Sequence, residues 1–209
     1  GTEFRIIATE RIIDTLIGCA IAFSASYFLF PNWESEQLKN FMRGIVRANA
    51  AYLEKIIRAM SGEKVEELEY KLARKDVYLN SANLSAAFQR MLSEPKNKQS
   101  SRSQIQQFVV LNHILFSNIA TIAKSITRDR GIYPAELLHL AKKTYGKLDA
   151  SGVRLGSEEA LPKLHDTANS NGISTTDDAF MKEQLRFIYN VSKDIEKLAS
   201  SLVEKPLSG

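Results

Sequence analysis

Thr15 to Trp33 reads TLIGCAIAFSASYFLFPNW and carries no charged residue, with Asp14 bounding it on one side and Glu34 on the other. A helix needs roughly 20 mostly apolar residues to cross about 30 Å of hydrocarbon. This run just meets that length, and more comfortably once Ile12 and Ile13 join it. Small residues (Gly18, Ala20, Ala22, Ser24, Ala25, Ser26) interleave with large ones, the pattern that lets membrane helices approach closely. Tyr27, Phe28, Phe30 and Trp33 gather at the far end, and aromatic rings favour the membrane–water boundary. Pro31 then ends the helix or bends it into the next one. The run predicts a transmembrane helix. Arg5, Glu10, Arg11 and Asp14 give the wrong charge pattern for a signal peptide. The competing expectation makes residues 12–30 a buried core helix of a soluble all-α protein-interaction domain.

Everything after Pro31 reads as helix. Leu38, Phe41, Met42, Ile45, Ala48, Tyr52, Leu53, Ile56 and Ile57 recur at helical spacing from Glu34 to about Met60, and Ser61-Gly62 is a stop. A second helix, from about Glu63 to Ser93, places Val65, Leu68, Leu72, Leu79, Ala82, Ala86 and Leu92 on a face and ends at Pro95. Its Asn80, Asn83, Gln89 and Arg90 are suited to hydrogen bonds between helices. After a polar, basic connector (PKNKQSSR) comes a strongly apolar helix from about Ser103 to Arg128, expected at the centre of the bundle. Asn112, His113, Ser117, Asn118, Thr121 and Lys124 interrupt it, so it is not expected to be a second span.

Pro134 opens a fourth helix, to about Leu148, with Leu137, Leu138, Ala141 and Tyr145 facing in. Residues 150–175 are rich in Ser, Gly, Asn and Asp and predict a long, flexible loop. Ser174-Thr175-Thr176-Asp177 offers an N-cap for a last helix, to about Val203, whose stripe is Leu185, Ile188, Val191, Ser192, Ile195, Leu198, Ala199 and Leu202. No strand-type alternation appears.

The composition, 44% hydrophobic and 25% charged over 209 residues, is that of a folded protein. The net charge of +4 is spread out rather than clustered, which argues against a nucleic-acid partner. Cys19 is the single cysteine, so an internal disulfide is impossible and a cysteine metal cluster is excluded. His113, His139 and His165 fall in three different elements, none with a His or Cys at metal-ligand spacing. No phosphate loop or nucleophile elbow occurs. No catalytic residue, metal or cofactor is expected, and the chain is read as no enzyme. Arg11 and Asp14, three apart at the edge of the apolar run, form a candidate transport-path or interfacial pair.

Two blocks then carry a family resemblance. Glu10-Arg11-Ile12-Ile13-Asp14-Thr15-Leu16-Ile17-Gly18, running on to Phe30-Pro31-Asn32-Trp33-Glu34, resembles the last membrane segment of the fusaric acid resistance family. Ala73-Arg74-Lys75, then Asn83-Leu84-Ser85-Ala86-Ala87-Phe88-Gln89-Arg90-Met91-Leu92-Ser93-Glu94-Pro95-Lys96, resembles the carboxy-terminal cytoplasmic region of its YccS-like branch. The family-like signature is Asp14, Thr15, Gly18, Pro31, Trp33, Ala86, Phe88, Gln89, Arg90, Glu94, Pro95 and Lys96. The resemblance implies a bacterial inner-membrane efflux protein, of which this chain is the carboxy-terminal fragment.

The expectation is therefore an all-α chain: one transmembrane helix followed by an antiparallel cytoplasmic helical bundle. Residues 1–33 are read as the last span of a larger membrane domain, and 34–209 as a bundle acting in assembly or regulation. The expected partners are the parent's remaining membrane helices, the lipid bilayer and further copies of the chain. Lys39, Arg43, Arg47, Lys55 and Arg58 follow the run, against Arg5 and Arg11 before it, which agrees with a cytoplasmic placement after residue 33.

Overall fold

The structure, a computed structural model, describes residues 2–28, 34–93, 101–128, 133–156, 161–162, 164 and 176–204. Among these it is all-helical: α1 Thr2–Phe28, α2 Glu34–Met60, α3 Glu67–Leu92, α4 Arg102–Arg128, α5 Ala135–Arg154 and α6 Thr176–Glu204. The chain divides into two compact units, Gly1–Trp33 and Glu34–Gly209.

The first unit contains α1 alone. Every side chain from Thr9 to Ser24 is exposed. Exposure of its large apolar residues runs from 49% at Ile13 to 74% at Phe23. Within its own unit, α1 leaves residues 12–24 exposed. Thr15 Oγ1 donates to the Arg11 carbonyl at 2.7 Å, satisfying the hydroxyl within the helix. Among the described residues, the helix long and apolar enough to cross a membrane is Arg102–Ile126 of α4. In α1 the described turns include Glu10, Arg11 and Asp14, while Pro31 and Trp33 lie outside the described residues.

Length and composition also single out the core helix of a bundle, and that is what α4 is. Ile105, Phe108, Leu115, Phe116, Ile119, Ile122, Ala123 and Ile126 are buried in the second unit's core. Asn118 Nδ2 and Thr121 Oγ1 donate back to the carbonyls of Ile114 and Ser117, at 2.8 and 3.0 Å. The interrupting polar groups are accommodated without leaving the helix.

Helix α2 packs on α3, α4 and α5; α4 packs on α2, α3 and α6; α5 and α6 pack on each other. Helices α2 and α4 thus form the middle of the unit. The α2 stripe is buried as its spacing predicts, with Phe41 partly so. The helix stops at Gly62, whose φ of +86° is open to a residue without Cβ. The Gly62 amide donates to Ala59 at 3.1 Å and the Glu63 amide to Arg58 at 3.0 Å, closing both bonds of a Schellman motif.

Helix α3 differs from the sequence expectation. Its buried residues are Val77, Leu84, Ala87, Phe88 and Met91. Leu68, Leu72, Leu79, Ala82 and Ala86 share a face as read, but that face is exposed. The expected interhelical role of its polar residues is not seen at Asn80, whose amide bonds within its own helix. Asn80 Nδ2 donates within α3, to the Asp76 carbonyl at 2.9 Å and its carboxylate at 3.2 Å, and Asn83, Gln89 and Arg90 are exposed.

Helix α5 runs past the expected end at Leu148 and through the start of the expected loop, to Arg154. In its last turns Ser151 and Gly152 are buried, and Ser151 Oγ donates to the Lys147 carbonyl at 2.7 Å. Gly156, at φ +88°, ends the helix. The α6 stripe is buried from Met181 to Leu202, with Leu198 partly covered. The expected N-cap at Ser174–Asp177 begins among residues outside the described ones.

Candidate functional site

Arg11 and Asp14 lie three residues apart on α1, and both are exposed. No ion pair joins them. Of the other signature residues, Thr15 and Gly18 are exposed on α1, and a Cβ added at Gly18 would meet nothing within 4 Å. On α3, Phe88 is buried in the core while Ala86, Gln89 and Arg90 face outward. Pro31, Trp33, Glu94, Pro95 and Lys96 lie outside the described residues. The two signature blocks belong to different units.

Within the second unit the polar groups pair with one another. Where α2, α3 and α4 meet, the Tyr52 and Tyr70 hydroxyls share a hydrogen bond of 2.8 Å. Tyr52 is fully buried, and its ring lies 6.3 Å from that of Phe116. Tyr78 meets Phe116 edge-on at 4.7 Å, and Arg74 lies 5.7 Å from the centre of the Tyr78 ring. Burial, reinforced by the bond to Tyr70, pushes the Tyr52 phenol far above its ordinary range. A group held neutral in that way is packing, not a base at physiological pH. The sequence signal for this cluster is Tyr70, Arg74 and Tyr78 at i, i+4 and i+8.

Two further contacts escaped sequence reasoning because they join distant residues. Arg43 of α2 donates from Nε (3.2 Å) and Nη2 (2.9 Å) to the Leu155 carbonyl, capping the end of α5. Asn49 Nδ2 of α2 donates to Asn112 Oδ1 of α4 at 3.2 Å in the core.

Several surface charges are matched within the unit. Glu54, Glu63 and Glu69 surround Lys55 and Arg58, with the tightest contact, Arg58 Nε to Glu63, at 2.8 Å. Glu196 of α6 takes Lys147 and Arg154 of α5 at 2.9 and 3.4 Å. The Lys182 ammonium bonds Glu136 and holds its carboxyl below the usual range. Among the described residues no group of three His, Cys, Asp or Glu could hold a metal ion. His113 and His139 are exposed and lie on different helices.

No family model matches the chain. No solved structure matches it. It is 33% identical over 122 residues to the inner membrane protein YccS of Escherichia coli K12, which covers 58% of this chain and 17% of that protein. An uncharacterized protein of Haemophilus influenzae is 31% identical over 122 residues, 58% of this chain and 17% of its own length. An uncharacterized protein, ORF2, of Neisseria gonorrhoeae is 36% identical over 96 residues, 46% of this chain and 23% of its own length. The chain thus spans less than a quarter of these relatives. Over 58% of its length the chain is thus similar to a stretch of inner-membrane protein YccS, in keeping with the resemblance carried by the two sequence blocks.

Proposed function

We propose that this chain is the carboxy-terminal part of an inner-membrane efflux transporter. In this reading α1 is the last span of a larger membrane domain. The unit Glu34–Gly209 is a cytoplasmic, antiparallel bundle acting in assembly or regulation. The observation that carries the proposal is the bare apolar surface of α1: Ile12, Ile13, Leu16, Ile17, Ile21 and Phe23 are all exposed. Apolar surface costs roughly 25 cal/mol per Å² in water, and lipid or neighbouring spans relieve that cost. The small residues from Gly18 to Ala25 support close packing against other spans. The cluster of Lys39, Arg43, Arg47, Lys55 and Arg58 after the run supports a cytoplasmic bundle.

The second unit's role follows from its chemistry. Its buried tyrosines are held protonated and several of its charges are paired on its own surface, an arrangement that supports a scaffold rather than a reaction centre. Transport would be completed by the parent's other spans, with Arg11 and Asp14 lining the path or pairing across helices near the interface.

The test compares membrane partitioning of the whole chain with a version starting at Glu34. The proposal expects the longer form alone to pellet with membranes and resist carbonate extraction. Equal solubility of both forms, with unfolding of the bundle on deletion of α1, refutes it.

A further inference from the structure

Helix α3 carries two apolar seams on opposite sides. One, through Val77, Leu84, Ala87 and Met91, is buried in its own unit. The other runs through Leu68, Leu72, Lys75, Leu79, Ala82 and Ala86, and all six residues are exposed. The spacing of this outer seam alternates four and three residues without a break, the repeat that keeps one helix in contact with another along its length. We infer that the outer seam of α3 is a self-association surface, on which a second copy of this chain lays the same helix antiparallel to the first.

The occupant and its direction follow from charge and size. The first turn of α3 carries Glu67 and Glu69, and its last turn carries Arg90. The helix is acidic at its start and basic at its end. Two copies running antiparallel bring acid to base at both ends, and oppose their helix dipoles as well.

In one antiparallel register Leu79 of each copy covers Ala82 of the other, Lys75 lies over Ala86, and Leu72 crosses Gln89. Each large side chain meets a smaller one or a flexible one, so the layers interdigitate. In the same register Glu69 faces Arg90, and Asp76 faces Asn83. A parallel pair would set Lys75 against its own copy and acid against acid at the start of the helix. Sliding the antiparallel pair by one heptad brings Asp76 towards its own copy. Lys75 thus selects the direction and Asp76 the register, in the way polar groups on a seam select among alternatives. The arrangement is two-fold symmetric and closes as a dimer.

The test uses the whole chain in mild detergent, with Cys19 replaced by Ser. Leu79→Cys mixed with Ala82→Cys is expected to give a disulfide-linked dimer under mild oxidation, while Val110→Cys, exposed on α4, does not. Leu79→Glu is expected to raise the dimer dissociation constant at least tenfold by sedimentation, with the helical circular dichroism unchanged. A monomeric parent chain overturns the inference, as does a dimer that survives Leu79→Glu. Cross-linking of Leu79→Cys only with itself overturns the antiparallel register. None of these outcomes depends on the membrane reading, which is decided by the partitioning of α1.

Discussion

The buried pair Asn49–Asn112 offers the sharpest check on how the core is assembled. Both side chains are buried, at 0% and 2% exposure. Asn112 is satisfied twice over: its Oδ1 accepts from Asn49, and its Nδ2 donates to the Phe108 carbonyl at 2.9 Å. Asn49 is half satisfied, because its Oδ1 has no hydrogen-bond partner. A buried polar atom left unpaired costs about 1–3 kcal/mol, while replacing both partners by apolar groups of similar shape is close to neutral or stabilising. Asn112→Leu strands the Asn49 amide as well as its carbonyl, and should destabilise by roughly 2 kcal/mol. Asn49→Leu removes the orphaned oxygen and strands Asn112 Oδ1 instead, one orphan for another, and should stay within about 1 kcal/mol of the parent. The double variant leaves neither orphan and should be more stable than the parent by roughly 1–2 kcal/mol. Urea unfolding followed by circular dichroism measures all four corners of the cycle. If Asn49→Leu costs as much as Asn112→Leu, or the double variant is the least stable of the four, the orphaned acceptor is not there and the reasoning fails.

Arg43→Met keeps the aliphatic stem but removes both hydrogen bonds to the Leu155 carbonyl; it should destabilise by about 1–2 kcal/mol and speed amide exchange in the last turn of α5. Tyr145 is pushed up to about 12 from 10.0, by burial first and then by the charges of Glu54 and Asp149, and its hydroxyl donates to the Pro162 carbonyl at 2.9 Å. Because the folded value is the higher, this contribution to stability is complete below pH 10 and is lost as pH rises towards 12. Tyr145→Phe should therefore cost about 1 kcal/mol at neutral pH and remove on the order of 1–2 kcal/mol of the alkaline loss, read from unfolding curves across that range.

How much of this was legible beforehand depended on whether a residue's partner lay on its own helix. Helix α2 has one apolar stripe, so its periodicity named the buried face directly: Leu38, Met42, Ile45, Tyr52, Leu53, Ile56 and Ile57 are all core. Helix α3 has two stripes, and periodicity cannot rank them. The leucines at 68, 72 and 79 drew the reading, whereas Val77, Leu84 and Phe88, fewer and more scattered, are the ones covered. The end of α5 was misplaced for a related reason. Asp149-Ala150-Ser151-Gly152 has the composition of a loop, yet it continues the helix, with Ser151 and Gly152 buried. The Arg43 cap and the Asn49–Asn112 pair join residues 112 and 63 positions apart, beyond any local pattern. The signature residues were a matter of resemblance from the start, and the structure distributes them over two units.

Among the described residues, α1 and the outer seam of α3 both expose apolar side chains, and their polar decoration separates them. From Thr15 to Ser24, α1 shows no charged side chain among its exposed residues. A charge at the centre of a bilayer costs about 2.5–3.5 kcal/mol on insertion scales, so this absence is what a lipid-facing or span-facing helix requires. The outer seam of α3 is built the other way. Lys75 lies in the seam itself, and Lys71, Asp76 and Arg90 flank it. In lipid each of these would be a cost. At a protein interface in water they are cheap at the rim, and they tell one direction of pairing from another. Both surfaces would register as hydrophobic in a simple scan, but the medium each is built for differs. Placing a lysine at position 21 of α1 should therefore block membrane extraction resistance, whereas the lysine already at position 75 of α3 is part of how that surface works.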